Sequence, residues 1–187
     1  MKTQQEWDEH FVAMADEVAK GSPDKSTKIA CVIVDKNHEV VASAHTSHPA
    51  GADESKLTWD ERPMKYYFSV HAEITALIKA SEAGKSIKGC TLYNNIAPCE
   101  NCLKAMLAAG IARIVYRDHR PQSFYTARAK SLENIDTDKA TIRLLASMPH
   151  VEAASLGGKR FIDEILADYP EGDESFDRLS KWVRGKK

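Results

Sequence analysis

Residues 89–117, GCTLYNNIAPCENCLKAMLAAGIARIVYR, contain the most informative pattern of strands and helices in this chain. Within it, CTLYNNI (90–96) predicts a strand, ENCLKAMLAAG (100–110) predicts a helix, and ARIVYR (112–117) predicts a second strand. A strand, a helix and a strand in this order form a right-handed crossover, which makes the two strands parallel neighbours in one sheet. The stretch therefore predicts an α/β domain.

Further helices and strands are predicted on both sides of this stretch. Upstream, the pattern predicts a helix over 7–20, a hairpin from strands at 29–35 and 40–45, a polar loop over 46–64 and a helix over 71–84. Downstream, weaker patterns predict a helix over 137–148, a strand over 151–156 and helices over 159–168 and 176–184. The hairpin is antiparallel and the crossover is parallel, so the predicted sheet is mixed and has about five strands.

Length and composition favour one globular domain over residues 1–187. Hydrophobic residues make up 43% of the 187 residues and charged residues 28%, which argues against disorder. Lys and Arg number 26 against 27 Asp and Glu, a net charge of −1, so no global field favours nucleic acid as a partner.

The sequence also bears on the compartment. No apolar run approaches the roughly 20 residues of a membrane span, and MKTQQEWDEH does not resemble a signal peptide, so we expect a cytoplasmic protein. Four cysteines are too few for a disulfide framework, and two of them form one C-x-x-C. In a reducing compartment this spacing indicates metal or redox chemistry.

Two short motifs carry the candidate chemistry: His71-Ala72-Glu73, and Pro98-Cys99-Glu100-Asn101-Cys102. Alone, each is weak, because H-x-E is frequent by chance and C-x-x-C also occurs in redox pairs and structural zinc sites. Together and in this order, each at the start of a predicted helix, they form the H-x-E…P-C-x-x-C pattern of zinc deaminases.

The residue types fit a catalytic zinc site. Cys99 and Cys102 are three residues apart in a first helical turn, so both sulfurs can point to one side, and the helix N-terminus favours their thiolates. His71 adds an imidazole, which gives three protein ligands and leaves the fourth position of one zinc ion for water. Glu73, two residues from His71, is placed to act as the base.

Two other interpretations of these cysteines stay open. A structural zinc would need a fourth ligand, and the remaining cysteines, Cys31 and Cys90, lie in apolar strand patterns that predict core positions. A redox pair is disfavoured, because no thioredoxin-like βαβ unit precedes Cys99 and Cys102 and a histidine partner is available.

The chain resembles the cytidine deaminase superfamily, and within it the deoxycytidylate (dCMP) deaminases, over about residues 4–120. The resemblance runs through TKIACVIVDKNHEVVASA (27–44), AGADESKLTWDERPMKYYFSVHAEITAL (50–77) and the stretch 89–116. It implies a three-layer α/β/α fold with a mixed sheet of about five strands, a catalytic core over 1–120 and a C-terminal extension over 121–187 packed on that core. It also implies a homo-oligomer, either a dimer or a hexamer.

The same resemblance implies the roles of individual residues. His71, Cys99 and Cys102 are expected to bind zinc, Glu73 to shuttle protons, and the backbone at Ala72 to lie along the pyrimidine. The expected reaction is the hydrolytic deamination of dCMP to dUMP, with a small-molecule nucleotide as the substrate.

Two departures from the family pattern affect the substrate. His45-Thr46-Ser47-His48-Pro49 stands where many members have Tyr-Asn-Gly-x-Pro, and Asn94-Asn95 replaces the usual Val-Thr. Thr46 therefore lacks the amide that members use on the sugar, and this loop lacks the glycine-bearing motif that belongs to the dCTP-activated members. Substrate contacts are predicted at Ala72, His45, Thr46, His48 and Asn95, and a phosphate clamp is predicted from Arg62, Lys65 and His119, with Arg117 and Arg120 as further cations. The alternative for His45 and His48 is a pair of solvated loop histidines.

Three other functions remain to be weighed. The same chemistry could act on a modified cytosine nucleotide, a nucleoside or another amino-heterocycle. A non-catalytic interaction domain braced by zinc would have no need of Glu73 beside an open metal position. Editing of a polynucleotide is disfavoured, because the net charge is near zero and no basic, aromatic-rich tract is present.

Overall fold

A five-stranded mixed sheet organises the protein in the computed structural model, which describes residues 2–118 and 133–167, with the side chains of 133–139 left out. The strands lie in the order β2-β1-β3-β4-β5. β1 pairs antiparallel with β2 and β3, and β3–β4 and β4–β5 are parallel. Their bounds are Ala30–Val34 (β1), Val40–His45 (β2), Thr91–Ile96 (β3), Arg113–Asp118 (β4) and Glu152–Ser155 (β5). The predicted mixed five-stranded sheet is confirmed.

Six helices are described, and most lie where the sequence predicted them. Their bounds are Gln4–Lys20 (α1), Lys65–Phe68 (α2), Ala72–Glu82 (α3), Glu100–Ala108 (α4), Glu133–Ser147 (α5) and Phe161–Ala167 (α6). The predicted loop over 46–64 contains one short 3-10 helix, Glu54–Lys56. The predicted helix over 176–184 lies outside the described residues, as do His119 and Arg120. None of the described helices combines the length and apolar character needed to span a bilayer.

The side chains of β1 alternate between two cores, one on each face of the sheet. All five residues of β1 are buried, because both faces of the sheet are covered. Val32 and Val34 join the core that α1 forms with the sheet, whereas Cys31 and Ile33 join the core that holds α3 and α4. Side chains of a strand point alternately to the two faces, so one strand serves both cores. The predicted three-layer α/β/α fold is confirmed.

A buried ionic network attaches α1 to the sheet. Asp8 accepts hydrogen bonds from both Arg113 nitrogens at 2.6 and 2.7 Å and from the Tyr93 hydroxyl at 2.9 Å. Arg113 and Tyr93 belong to adjacent strands, so one carboxylate connects the helix to both of them. Thr3 and Glu6 form a capping box that starts α1 three residues earlier than the apolar pattern predicted.

The described part of the C-terminal extension packs against the α3–α4 side of the sheet. Ile142 of α5 and Phe161 and Ile165 of α6 belong to the same buried cluster as Tyr116 of β4. The rings of Tyr116 and Phe161 are 5.2 Å apart, and the Tyr116 hydroxyl donates to Glu164.

Candidate metal centre and active site

Two helix starts carry the predicted metal ligands. His71 is the N-cap of α3 and Cys99 is the N-cap of α4, each with an extended backbone. β3 ends at Ile96, three residues before Cys99, so α4 starts close to the carboxyl end of this central strand. Cys102 lies in the first turn of α4, and its backbone N–H donates to the Cys99 sulfur over 3.4 Å.

The structure brings the three predicted ligand residues together. Nδ1 of His71 lies 3.4 Å from Sγ of Cys99 and 3.4 Å from Sγ of Cys102. Zn–N and Zn–S bonds of about 2.0–2.3 Å at a tetrahedral angle separate the two ligand atoms by about 3.6 Å. The observed spacing therefore fits one tetrahedral zinc ion. Within the described residues this is the only group of three His, Cys, Asp or Glu side chains placed to hold a metal.

The charge balance of the donor set also fits a dication. The Cys102 pKa lies far above its ordinary value because Cys99 hydrogen-bonds the thiol, burial disfavours the thiolate, and the Glu73 carboxylate is close. Two thiolates and a carboxylate cannot share a buried space without a compensating positive charge. Zn²⁺ supplies that charge, so these residues form a candidate zinc site.

Cys31 and Cys90 do not join the cluster. Both are buried in the core, as the apolar strand patterns predicted, and burial raises the pKa of each thiol. The cluster thus keeps three protein ligands, which is the number found in catalytic zinc sites.

Glu73 is a fully buried carboxylate beside the cluster, with 1% of its surface exposed. Its Oε1 accepts a hydrogen bond from Nδ2 of Asn94 at 2.9 Å. The Glu73 carboxylate is also close enough to Cys102 to contribute to the raised pKa of that thiol. The sequence pattern did not pair Asn94 with Glu73. The available signal was a pair of adjacent asparagines inside a predicted strand.

The loop after β2 runs beside His71. The backbones of Ser47 and Val70 exchange hydrogen bonds at 3.1 and 2.7 Å, which places Thr46 next to the start of α3. Thr46 is buried and its carbonyl accepts from Nδ1 of His45 at 3.0 Å. Ala72, also buried, follows His71 directly.

His48 is not a solvated loop residue. Its side chain is fully buried, Nδ1 lies 2.7 Å from Oε2 of Glu54, and its ring stacks on Trp59 at 4.0 Å. The alternative interpretation of a solvated histidine is therefore wrong for His48, because a carboxylate and an indole ring hold it inside the loop.

Asn95 and Lys65 have partners within the protein. Asn95 accepts from the backbone N–H of Ala30 at 3.1 Å and donates to the carbonyl of Lys28 at 2.9 Å, so its amide fastens β3 to the segment before β1. The Lys65 side chain is 3% exposed, and its ammonium lies 2.7 Å from Asp24 Oδ2. Both side chains are engaged away from solvent, and we do not include them among the proposed substrate contacts.

Arg62 remains an accessible cation near this loop. Its side chain is exposed, donates to Ser26 Oγ at 3.0 Å and lies 5.8 Å from the centre of the Tyr66 ring. Arg117 instead pairs with Asp16 and Asp118. The predicted contribution of His119 falls outside the described residues.

Comparison with known families agrees with this architecture. Residues 5–118 match the family described as the cytidine and deoxycytidylate deaminase zinc-binding region. The match covers more than half of the chain and contains all three residues of the candidate zinc site. The chain belongs to this family.

Individual relatives carry related names. Mouse deoxycytidylate deaminase is 30% identical over 116 residues, which cover 59% of this chain and 64% of the relative. An uncharacterized deaminase of Aliivibrio fischeri is 30% identical over 127 residues, 68% of this chain and 82% of the relative. The chain thus spans less than two thirds of the length of the mouse protein.

A solved structure shares the fold. The dCMP deaminase of cyanophage S-TIM5 is 28% identical in its apo form, with a TM-score of 0.54, over 64% of this chain and 86% of that one. Its complex with dCMP and dUMP aligns at 27% identity with a TM-score of 0.53.

Proposed function

We propose that this protein is a zinc-dependent deaminase that converts dCMP to dUMP. The observation that carries the proposal is the convergence of His71 Nδ1 and two cysteine sulfurs beside the buried carboxylate of Glu73. Three protein ligands leave the fourth coordination position of zinc open, as in catalytic sites. A purely structural zinc site does not need a buried carboxylate next to such an open position. The matching family and the cyanophage dCMP deaminase support the same chemistry.

In the proposed mechanism, His71, Cys99 and Cys102 hold the metal and Glu73 moves the protons. Zinc, when bound, supplies the Lewis acidity that makes water a nucleophile at neutral pH. Glu73 accepts one proton from the attacking water on a carboxylate oxygen and delivers it to N3 of the ring. It then accepts the second proton from the new C4 hydroxyl and delivers it to the amino nitrogen. A C4–O bond forms, the C4–N bond breaks and ammonia leaves.

The substrate is proposed to be a nucleoside monophosphate. Arg62 is an exposed guanidinium in the segment between β2 and α3, and a charge-assisted contact from it would favour a phosphate. The net charge of −1 provides no global attraction for an anion, so the preference depends on such a local contact. The contact with the sugar is proposed at Thr46, with His45 and His48 shaping the same loop.

Assembly and compartment complete the proposal. None of the four buried cysteines forms a disulfide, which suits a reducing compartment, and we place the protein in the cytoplasm as a homo-oligomer, either a dimer or a hexamer. Light scattering on the zinc-loaded protein measures the oligomer size.

Ammonia release by the zinc-loaded protein tests the reaction and the substrate. The panel contains dCMP, ring-substituted dCMP, deoxycytidine, cytosine and the matching adenine compounds, each with and without dCTP. We expect the highest kcat/KM on dCMP or a ring-substituted dCMP, and little or no activation by dCTP because Thr46 replaces the asparagine. A higher kcat/KM on deoxycytidine or a free base would contradict the nucleotide assignment. No ammonia from any compound would contradict deamination itself.

A further inference from the structure

Asn94, which hydrogen-bonds Glu73, is a polar residue with no role in the proposed mechanism. Asn94 is fully buried in the centre of β3, where it pairs with Cys31 of β1 on one side and Tyr116 of β4 on the other. A side chain on a central strand, flanked by two partners, is held more precisely than one on a loop.

The hydrogen bond between the two residues runs from the amide to the carboxyl group. Nδ2 of Asn94 donates to Oε1 of Glu73 at 2.9 Å. This orientation leaves Oδ1 of Asn94 buried without a hydrogen-bond partner among the described residues. A buried polar atom without a partner costs free energy, so the position is unfavourable for packing alone.

The contact fixes where the carboxylate stands. Asn94, on the central strand, donates a hydrogen bond to Oε1 of Glu73. The same carboxylate is close enough to Cys102 to raise the pKa of its thiol. The carboxylate is thus hydrogen-bonded to the central strand and lies close to the candidate metal cluster.

We propose that Asn94 is the positioning residue for Glu73, which holds one carboxylate oxygen so that the group stays directed at the metal cluster and the substrate. This inference rests on the proposed function. Small displacements of a reacting group cost large factors in rate, so loss of the contact should lower kcat rather than weaken substrate binding.

The decisive variant is Asn94→Leu, which keeps the approximate shape and removes the donor. Asn94→Val is made alongside, since a β-branched residue suits a strand interior. In the zinc-loaded full chain we expect kcat on dCMP to fall at least tenfold, KM to stay within about threefold, and the zinc content to remain about one per chain.

The control is Cys31→Ala. It alters packing next to Asn94, because Cys31 is its partner on β1, and it removes no hydrogen bond from Glu73. We expect its kcat within about twofold of wild type. An activity-independent measurement is a urea-unfolding cycle of Asn94→Leu and Glu73→Ala, whose midpoint shifts should not add, because each variant removes the same contact.

A kcat within twofold of wild type in Asn94→Leu or Asn94→Val would overturn the proposal, as would additive midpoint shifts in the urea cycle. A loss that falls on KM with kcat retained would also overturn it. An inactive wild-type chain is a different outcome, because it contradicts the proposed function before any variant is compared.

Discussion

Sγ of Cys102 lies 3.4 Å from Nδ1 of His71, although the two residues are 31 positions apart in the chain. They come from the first turns of two different helices, so the distance is a property of how α3 and α4 pack beside β3. A metal ion at this point would bind both helix starts at once.

The first prediction is therefore that the protein holds about one zinc per chain. Cys99→Ala and Cys102→Ala should each lose the metal, because two ligands are too few for a stable tetrahedral site. Elemental analysis after dialysis measures the content. Cys90→Ala, at a buried cysteine outside the cluster, serves as the control and should keep its zinc. Full occupancy in either cluster variant would rule out the assignment.

The second prediction separates metal binding from proton transfer at Glu73. Glu73→Gln should keep the zinc and the fold, because the amide has nearly the shape of the carboxylate. Turnover should fall by at least ~10²–10⁴, the usual contribution of a general acid–base group. Single-turnover ammonia release, with zinc content measured on the same sample, decides it. Near wild-type turnover would show that another residue moves the protons.

The third prediction concerns Arg62 and the phosphate. Arg62→Ala should lower kcat/KM for dCMP by about tenfold or more and change that for deoxycytidine little, since a hydrogen bond to a charged group contributes about 1.5–3 kcal/mol. The matched control is Arg160→Ala, which removes an exposed arginine paired with Asp163 on α6. Equal losses on dCMP and deoxycytidine would place the phosphate contact elsewhere.

The fourth prediction concerns the Lys65–Asp24 ion pair. Lys65→Met leaves the Asp24 carboxylate buried and uncompensated, which typically costs about 3–5 kcal/mol of unfolding free energy. The ratio of turnover on dCMP and deoxycytidine should stay unchanged, because Lys65 is held away from solvent. Adding Asp24→Leu should recover part of the stability in urea unfolding. A selective loss on dCMP would instead restore Lys65 to the phosphate clamp.

The fifth prediction is a pH-dependent contribution from Asp8. Burial raises the pKa of Asp8, but hydrogen bonds from Arg113, Gln4 and Tyr93 and the charge of Arg113 outweigh it, so the folded pKa is lowered. The stabilisation is therefore full above the ordinary pKa of about 4 and is lost as the pH falls through the lowered folded value.

Urea unfolding of wild type and Asp8→Asn at a series of pH values measures this effect. Asp8→Asn should be less stable at pH 7, and the difference should shrink at acidic pH. Asp163→Asn, at an exposed pair, should show a difference of at most about 1 kcal/mol at every pH. A gap between wild type and Asp8→Asn that does not depend on pH would contradict the ionic origin.

The sequence predicted the features that depend on the local spacing of residues, namely the strands, the helices and the metal-binding motif. The spacing of strands and helices predicted the mixed sheet, and the H-x-E…P-C-x-x-C order predicted the gathering of the candidate zinc ligands. The family resemblance implied the three layers. The same holds for Cys31 and Cys90, whose apolar neighbours predicted burial.

Long-range polar pairing could not be predicted in the same way. Lys65 is separated from Asp24 by 41 residues, and nothing in the local pattern of either indicates that the ammonium is buried. Asn94 and Asn95 are adjacent and identical in type, yet one binds a carboxylate and the other binds backbone. Their opposite orientations on β3 could be anticipated, but the partners depend on which helix covers each face.

The order of the strands has a consequence for synthesis of the chain. β1 pairs with β3, and the partner of Val34 is Thr91. The edge of β1 that faces β3 therefore stays unpaired until about 57 residues after Val34 have been synthesised. At about 5–20 residues per second this edge stays open for about 3–11 s on the ribosome. An unpaired strand of sequence ACVIV is a template for intermolecular pairing, and a chain truncated before β3 should aggregate through it.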